Sequence, residues 1–132
     1  MEMRVVVFSG EYDIACIEQL REELGRLVAM ERVILDFTDV TYIDSTTVGE
    51  LVRLHKRRAE NLFERETIVV RNRGVQKIFD LLELRKVFRL VATLEEAVDP
   101  GVQTTVRRAF CGGPSPDAAP DVTDSETSRS PS

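Results

Sequence analysis

The chain has 132 residues, of which 42% are hydrophobic and 31% are charged, and its formal net charge is -5 at pH 7. This length and balance indicate one globular domain. The acidic charge argues against direct binding of nucleic acid, because phosphate backbones require a basic surface. No apolar run approaches the roughly 18 residues of a membrane span, so we expect no membrane association.

The sequence contains two cysteines, Cys16 and Cys111, and the second lies in a stretch rich in glycine and proline. So few cysteines, in these positions, predict no structural disulfide. A reducing cytoplasm is the natural setting for such a protein. The N-terminus also lacks the apolar segment of a signal peptide. We therefore expect a cytoplasmic protein.

Two periodicities alternate along the first hundred residues and predict an α/β fold. Short runs rich in β-branched residues predict strands at residues 4–8, 33–37, 67–70 and 87–91. Apolar residues at three- and four-residue steps predict helices at residues 14–28, 48–62, 72–82 and 93–98. We expect a single-layer, mixed but largely parallel sheet of four to five strands with about four helices. An extra strand within residues 1–12 would pair antiparallel at one edge.

Two smaller features complete this prediction. Composition changes near Pro100, so we expect a domain at residues 1–100 and a polar, mostly disordered tail at residues 101–132. A short helix over residues 102–110 is a possible structured element of that tail. Three consecutive basic residues are expected on the solvent side of the second helix: Lys56, Arg57 and Arg58.

The most informative stretch, residues 41–51 (TYIDSTTVGEL), joins the second strand to the second helix. Functional loops of such sheets collect at the carboxyl ends of the strands. One interpretation is structural, because Thr47 and Glu50 have the spacing of a capping box. The other is regulatory, because the amino end of a helix favours an anion and Ser45 is a suitable phosphate acceptor there.

Catalysis at this corner is not expected. The only histidine, His55, follows Ser45 by ten residues, which is about 15 Å along a helix and too far for proton transfer. The sequence contains no Cys/His metal spacing and no glycine-rich phosphate loop. We therefore expect no enzyme activity, no catalytic residue, no metal and no cofactor.

Four segments of the sequence resemble the STAS domain family, in its branch of bacterial anti-sigma factor antagonists. They are residues 9–13 (SGEYD), 33–46 (VILDFTDVTYIDST), 74–84 (GVQKIFDLLEL) and 93–98 (TLEEAV). The resemblance spans about residues 3–98, and the strand that leads into Tyr-Ile-Asp-Ser is its most specific element. It is consistent with the α/β fold predicted from periodicity.

The resemblance implies a protein that binds an anti-sigma factor with serine kinase activity and so controls the release of a sigma factor. In such proteins the kinase phosphorylates the serine after the aspartate and thereby ends binding, and a phosphatase restores it. Ser45 is then the phosphorylation site. The implied partner-binding residues are Asp13, Asp44, Ser45, Thr46 and Thr47.

One position departs from the family pattern, and one alternative function stays open. Thr47 stands where the family usually has glycine. Its β-branched side chain either narrows the approach of the partner's nucleotide site or caps the helix. The alternative is a STAS module that serves as an accessory or scaffold subunit of a lipid-transport or signalling complex.

Overall fold

The computed structural model describes residues 2–110, apart from the side chains of Glu2 and Phe110. The described part contains the strands β1 (Glu2–Tyr12), β2 (Arg32–Ile43), β3 (Thr67–Val69), β4 (Arg89–Val91) and β5 (Gln103–Phe110). Its α-helices are α1 (Ile17–Gly25), α2 (Ser45–Ala59), α3 (Arg73–Leu81) and α4 (Leu94–Ala97). Two 3-10 helices, Ile14–Cys16 and Leu84–Lys86, precede α1 and β4.

The strands form one sheet in the order β4-β3-β2-β1-β5. Every strand pair in the described residues is parallel, because a helix carries the chain back across the sheet between successive strands. The predicted α/β architecture is therefore confirmed. The antiparallel edge strand is wrong, because residues 2–12 form a single strand in the interior of the sheet. No helix within residues 2–110 is long and apolar enough to cross a membrane.

Apolar side chains bury both faces of the sheet, since successive residues of a strand point to opposite sides. The main core lies on the face covered by α1, α2 and α3, which contribute Leu20, Leu51 and Phe79. A smaller cluster lies on the other face, beneath α4. Its buried members are Met3, Val5, Ile34, Val69 and Ala97. The second face therefore has a much shorter helical cover than the first.

Strand β5 lies in the segment that we expected to begin a disordered tail. The helical interpretation of residues 102–110 is wrong, because β5 pairs with β1 from Glu2↔Gln103 to Ser9↔Phe110. Ala109 is buried in the main core. Residues 103–110 include β-branched residues, which favour a strand. The prediction missed this strand because its partner, β1, is about a hundred residues away in sequence. Residues 111–132, the rest of the predicted tail, lie outside the described residues.

The cysteine prediction also requires correction. Cys16 is buried and disulfide-bonded, whereas the sequence predicted no disulfide. The other cysteine, Cys111, lies outside the described residues. The prediction depended on the glycine- and proline-rich surroundings of Cys111, a local property that does not determine whether Cys16 is bonded.

The basic run on α2 is only partly exposed. Lys56 and Arg57 are exposed as predicted, but Arg58 is fully buried, so its predicted solvent exposure is wrong. Its guanidinium forms an ion pair with buried Glu66. It also donates to the backbone carbonyls of Met30, Glu31 and Glu64 at 2.7, 2.8 and 2.9 Å. These bonds compensate for much of the cost of burying the charge.

Candidate functional site

The predicted site residues lie at the carboxyl end of the two central strands. β1 and β2 end side by side, with Tyr12 opposite Ile43. An aspartate follows each strand and accepts a hydrogen bond from the start of the next helix. Asp13 accepts from the Ala15 N–H at 3.0 Å. The parallel register therefore places Asp13 and the Asp44–Thr47 corner at one edge of the sheet.

Asp44, rather than Thr47, caps α2. The carboxylate Oδ1 of Asp44 accepts hydrogen bonds from the Thr47 N–H at 3.0 Å and the Thr46 hydroxyl at 2.6 Å. The predicted capping box is wrong, because the helix begins at Ser45 and Glu50 instead pairs with Arg21 at 3.0 Å. Asp44 has an extended backbone, and its carboxylate accepts a hydrogen bond from a free backbone N–H of the first helical turn. The helix therefore begins earlier than its apolar pattern suggests.

Hydrogen bonding also determines the charge state of Asp44. Partial burial opposes ionisation of its carboxyl group, but donation from Thr46, Thr47 and the Ile14 N–H outweighs burial and lowers the pKa of Asp44 below its ordinary value. The corner therefore has a fixed negative charge at neutral pH.

Thr47 occupies an interior position. Its side chain is 1% exposed, and its hydroxyl donates to the Tyr12 carbonyl at 2.8 Å. The same carbonyl accepts from the Asp44 N–H at 3.2 Å. The Thr47 side chain therefore connects the start of α2 to the end of β1 by a hydrogen bond. This side chain is buried and therefore neither narrows the outer surface nor caps the helix.

Ser45 has the opposite environment. It is the first residue of α2 and is exposed, and within residues 2–110 its hydroxyl has no hydrogen-bond partner. The neighbouring Thr46 is half-buried, and its hydroxyl is committed to Asp44. Of the hydroxyl groups at this corner, that of Ser45 is the one that is both accessible and free to react.

Two exposed apolar side chains flank this corner. Ile14 directly follows Asp13 and is 66% exposed, and Tyr42 precedes the last residue of β2 and is 48% exposed. Sequence reasoning did not single out either residue. The available signal was their position in the sequence, because Ile14 directly follows Asp13 and Tyr42 lies two residues before Asp44. Large exposed apolar groups beside polar ones are typical of a protein-binding surface.

His55 lies away from the corner, as the sequence predicts. It sits on the same continuous helix as Ser45, ten residues later, which corresponds to about 15 Å. Its Nδ1 contacts a carboxylate oxygen of Glu66 at 2.8 Å, and its ring packs edge-on against Phe88. This histidine therefore belongs to the packing around the end of α2 and cannot act as a base for Ser45.

The chain belongs to the STAS domain family, whose model matches residues 2–97. Its fold is similar to that of a Thermotoga maritima protein proposed to be an anti-sigma factor antagonist. The two share 21% identity over 69% of this chain and 83% of the other, with a TM-score of 0.60. The residues matched by the family model extend from β1 through α4, so they include the whole corner around Ser45.

The fold is also similar to two structures of SpoIIAA. One is described as the anti-sigma factor antagonist in its unphosphorylated form, at 20% identity and a TM-score of 0.54 over 69% of this chain and 81% of the other. The second is described as the Bacillus cell fate determinant in its phosphorylated form, at 24% identity and a TM-score of 0.54. It covers 70% of this chain and 85% of the other. At identities this low, the structural similarity establishes the shared fold alone.

Proposed function

We propose that this protein is an anti-sigma factor antagonist that binds an anti-sigma factor with serine kinase activity and loses that binding when Ser45 is phosphorylated. The observation that carries the proposal is the exposed hydroxyl of Ser45, free of hydrogen bonds within residues 2–110, at the amino end of α2. A phosphatase would reverse the modification. The proposed kinase and sigma factor act in the cytoplasm, where we expect this protein to act.

The surroundings of Ser45 explain why a phosphate there would act on binding more than on folding. The free N–H groups and positive dipole end of α2 favour an anion at its first residue. A phosphate adds about -1.5 to -2 charge near neutral pH, beside the fixed charge of Asp44. The fold therefore tolerates the modification, whereas a partner that docks here meets new bulk and concentrated negative charge.

The contact surface that we propose combines this polar corner with the apolar groups beside it. Asp13, Asp44 and Thr46 are all partly exposed around Ser45. Ile14 and Tyr42 present apolar area next to them. Burial of these two side chains against the partner would supply affinity. The Ser45 hydroxyl between the polar residues would make that affinity depend on phosphorylation.

The proposal is tested with a purified anti-sigma factor of the serine kinase type from the same organism. The purified partner and ATP are expected to phosphorylate the wild-type protein on Ser45, as located by mass spectrometry. Ser45→Ala should retain binding and take up no phosphate. Ser45→Asp should weaken binding at least tenfold, a change of about 1.4 kcal/mol, as measured by calorimetry.

Thr46→Val is the matched control, because it removes the adjacent hydroxyl and should leave phosphate uptake at Ser45 intact. Binding of both Ser45 variants with wild-type affinity would contradict the switch. Phosphate found on Thr46 would contradict the assignment of the acceptor. Failure of the wild-type protein to bind any anti-sigma factor would favour the accessory or scaffold alternative.

A further inference from the structure

A cavity of about 280 Å³ opens at the amino end of the sheet, the end opposite Ser45. The first residues of β2, β3 and β4, which are Arg32, Thr67 and Arg89, contribute to its lining. Thr67 and Arg89 are directly paired in the parallel register. The cavity is therefore built on adjacent strands of the sheet, which are rigid elements.

The floor of the cavity is apolar. Met3, Ile34 and Ala97 line it, and all three are buried members of the smaller core cluster. The cluster is covered mainly by α4, which spans only Leu94–Ala97. Because so short a helix covers little of this face, a recess remains where the strands begin. A ligand with a compact carbon portion could contact this floor.

Three arginines surround the recess, and their charges are balanced to different extents. Arg32 forms ion pairs with Asp99 and Glu64, so nearby carboxylates already balance its charge. Arg65 and Arg89 also line the cavity. In the part of the chain that the structure describes, neither of them forms an ion pair with a carboxylate.

Arg65 and Arg89 keep most of their donors available. Arg65 donates one hydrogen bond, to the Arg85 carbonyl at 3.5 Å, and Arg89 donates one, to the Glu96 carbonyl at 3.2 Å. A guanidinium has five N–H donors, so each side chain has several left. Glu64 also lines the cavity, so three arginines stand against one lining carboxylate. This local excess of positive charge is the reverse of the chain's net charge of -5.

We propose that this cavity binds a small organic phosphate. Arg65 and Arg89 hold the phosphate, and its carbon portion lies against Met3, Ile34 and Ala97. A phosphate of nearly two negative charges balances two guanidinium groups, whereas a carboxylate balances one. The volume lies just below the usual range for small-molecule pockets, which suits a compact ligand. This site goes beyond the proposed function and shares none of its residues.

The test uses the full chain and four probes: phenyl phosphate, inorganic phosphate, benzoate and phenol. Binding is followed through backbone amide shifts at low ionic strength, where charge interactions are least screened. Phenyl phosphate is expected to bind saturably, with a dissociation constant on the order of 1 mM or below. The other three probes should bind more weakly, because each lacks the phosphate, its second charge or the ring. The shifts should centre on Ile34, Thr67 and Ala97.

Two variants locate the binding groups. Arg65→Gln and Arg89→Gln should each weaken phenyl phosphate binding about tenfold, since each removes a charge-assisted hydrogen bond. Arg26→Gln, which removes an exposed charge directly after α1, is the control and should bind as the wild type does. Both cavity arginines are exposed, so the variants are expected to fold, and their amide spectra verify it.

Each of the following results would overturn the proposal: no saturable binding of phenyl phosphate, equal binding of inorganic phosphate or benzoate, shifts outside the cavity, or no effect of either cavity variant. The titration requires no anti-sigma factor. Its failure therefore leaves the proposed function untouched, and failure of the partner experiment leaves this site untouched.

Discussion

Residues 44–47 occupy consecutive positions, but the fold gives three of them distinct environments. The carboxylate of Asp44 caps α2, the hydroxyl of Thr47 holds the helix to Tyr12, and the hydroxyl of Ser45 faces solvent. The structural and regulatory interpretations of this stretch are therefore compatible. Asp44 and Thr47 hold the start of the helix in place, and of the two residues between them Ser45 is the exposed one.

The residue-scale prediction concerns Asp44→Ala, which removes the cap of α2. We expect it to lower the free energy of unfolding at pH 7 by about 1 kcal/mol. Because the folded state lowers the pKa of Asp44, the carboxylate's contribution is fully present above the unfolded pKa of about 3.9 and is lost as pH falls below it. Urea denaturation should therefore show a difference from wild type at pH 7 that shrinks by pH 3.

Asp39→Ala is the control for this experiment, since it removes an exposed aspartate of β2 that caps no helix. Its free energy of unfolding should stay within about 0.5 kcal/mol of wild type. A difference for Asp44→Ala that persists undiminished at pH 3 would contradict a stabilising role of the ionised carboxylate.

Helix α2 is held at both ends by polar groups that its amphipathic pattern does not reveal. At its start, Thr47 bonds to the end of β1. Near its end, Arg58 pairs with Glu66 and bonds to the backbone before β2 and before β3. Two distant anchors fix the orientation of the helix over the main core. They therefore also fix the direction in which Ser45 is presented.

The element-scale prediction compares two neighbouring arginines of α2. Arg58→Met leaves the buried carboxylate of Glu66 without its guanidinium partner, so we expect a loss of about 3–5 kcal/mol in the free energy of unfolding. Arg57→Met changes an exposed residue and should cost no more than about 0.5 kcal/mol. Chemical denaturation measures both, and equal losses would contradict the buried ion pair.

The two candidate sites of the molecule lie at opposite ends of one sheet. The Ser45 corner lies at the carboxyl end of the central strands, and the arginine-lined cavity lies at the amino end. Strand β5 completes the sheet beside β1 and contributes Ala109 to the main core. The folded body therefore extends at least to β5, beyond the boundary at residue 100 that composition predicted.

The prediction at this scale tests β5 with two adjacent aspartate substitutions. Ala109→Asp places a carboxylate in the main core and should lower the free energy of unfolding by more than about 2 kcal/mol. Arg108→Asp places one on an exposed position of the same strand and should have a much smaller effect. If residues 103–110 were unstructured, both variants would unfold at the wild-type denaturant concentration.

The sequence by itself determined the α/β architecture, the approximate positions of the four helices and of four of the five strands, and the family. These features depend on the spacing of apolar residues and on short motifs, both of which are local properties of the chain. The position of Ser45 at the junction of β2 and α2 followed for the same reason. Its exposure was a hypothesis until the fold placed its neighbours.

The tertiary structure alone decided which polar residues are buried and which strands pair. Thr47 and Arg58 looked like surface residues because their local sequence is polar, yet each is buried and donates hydrogen bonds to groups far away in the chain. The segment around β5 looked like a tail because its partner, β1, lies at the other end of the described residues. Burial and strand pairing are set by contacts between distant segments, so no local pattern encodes them.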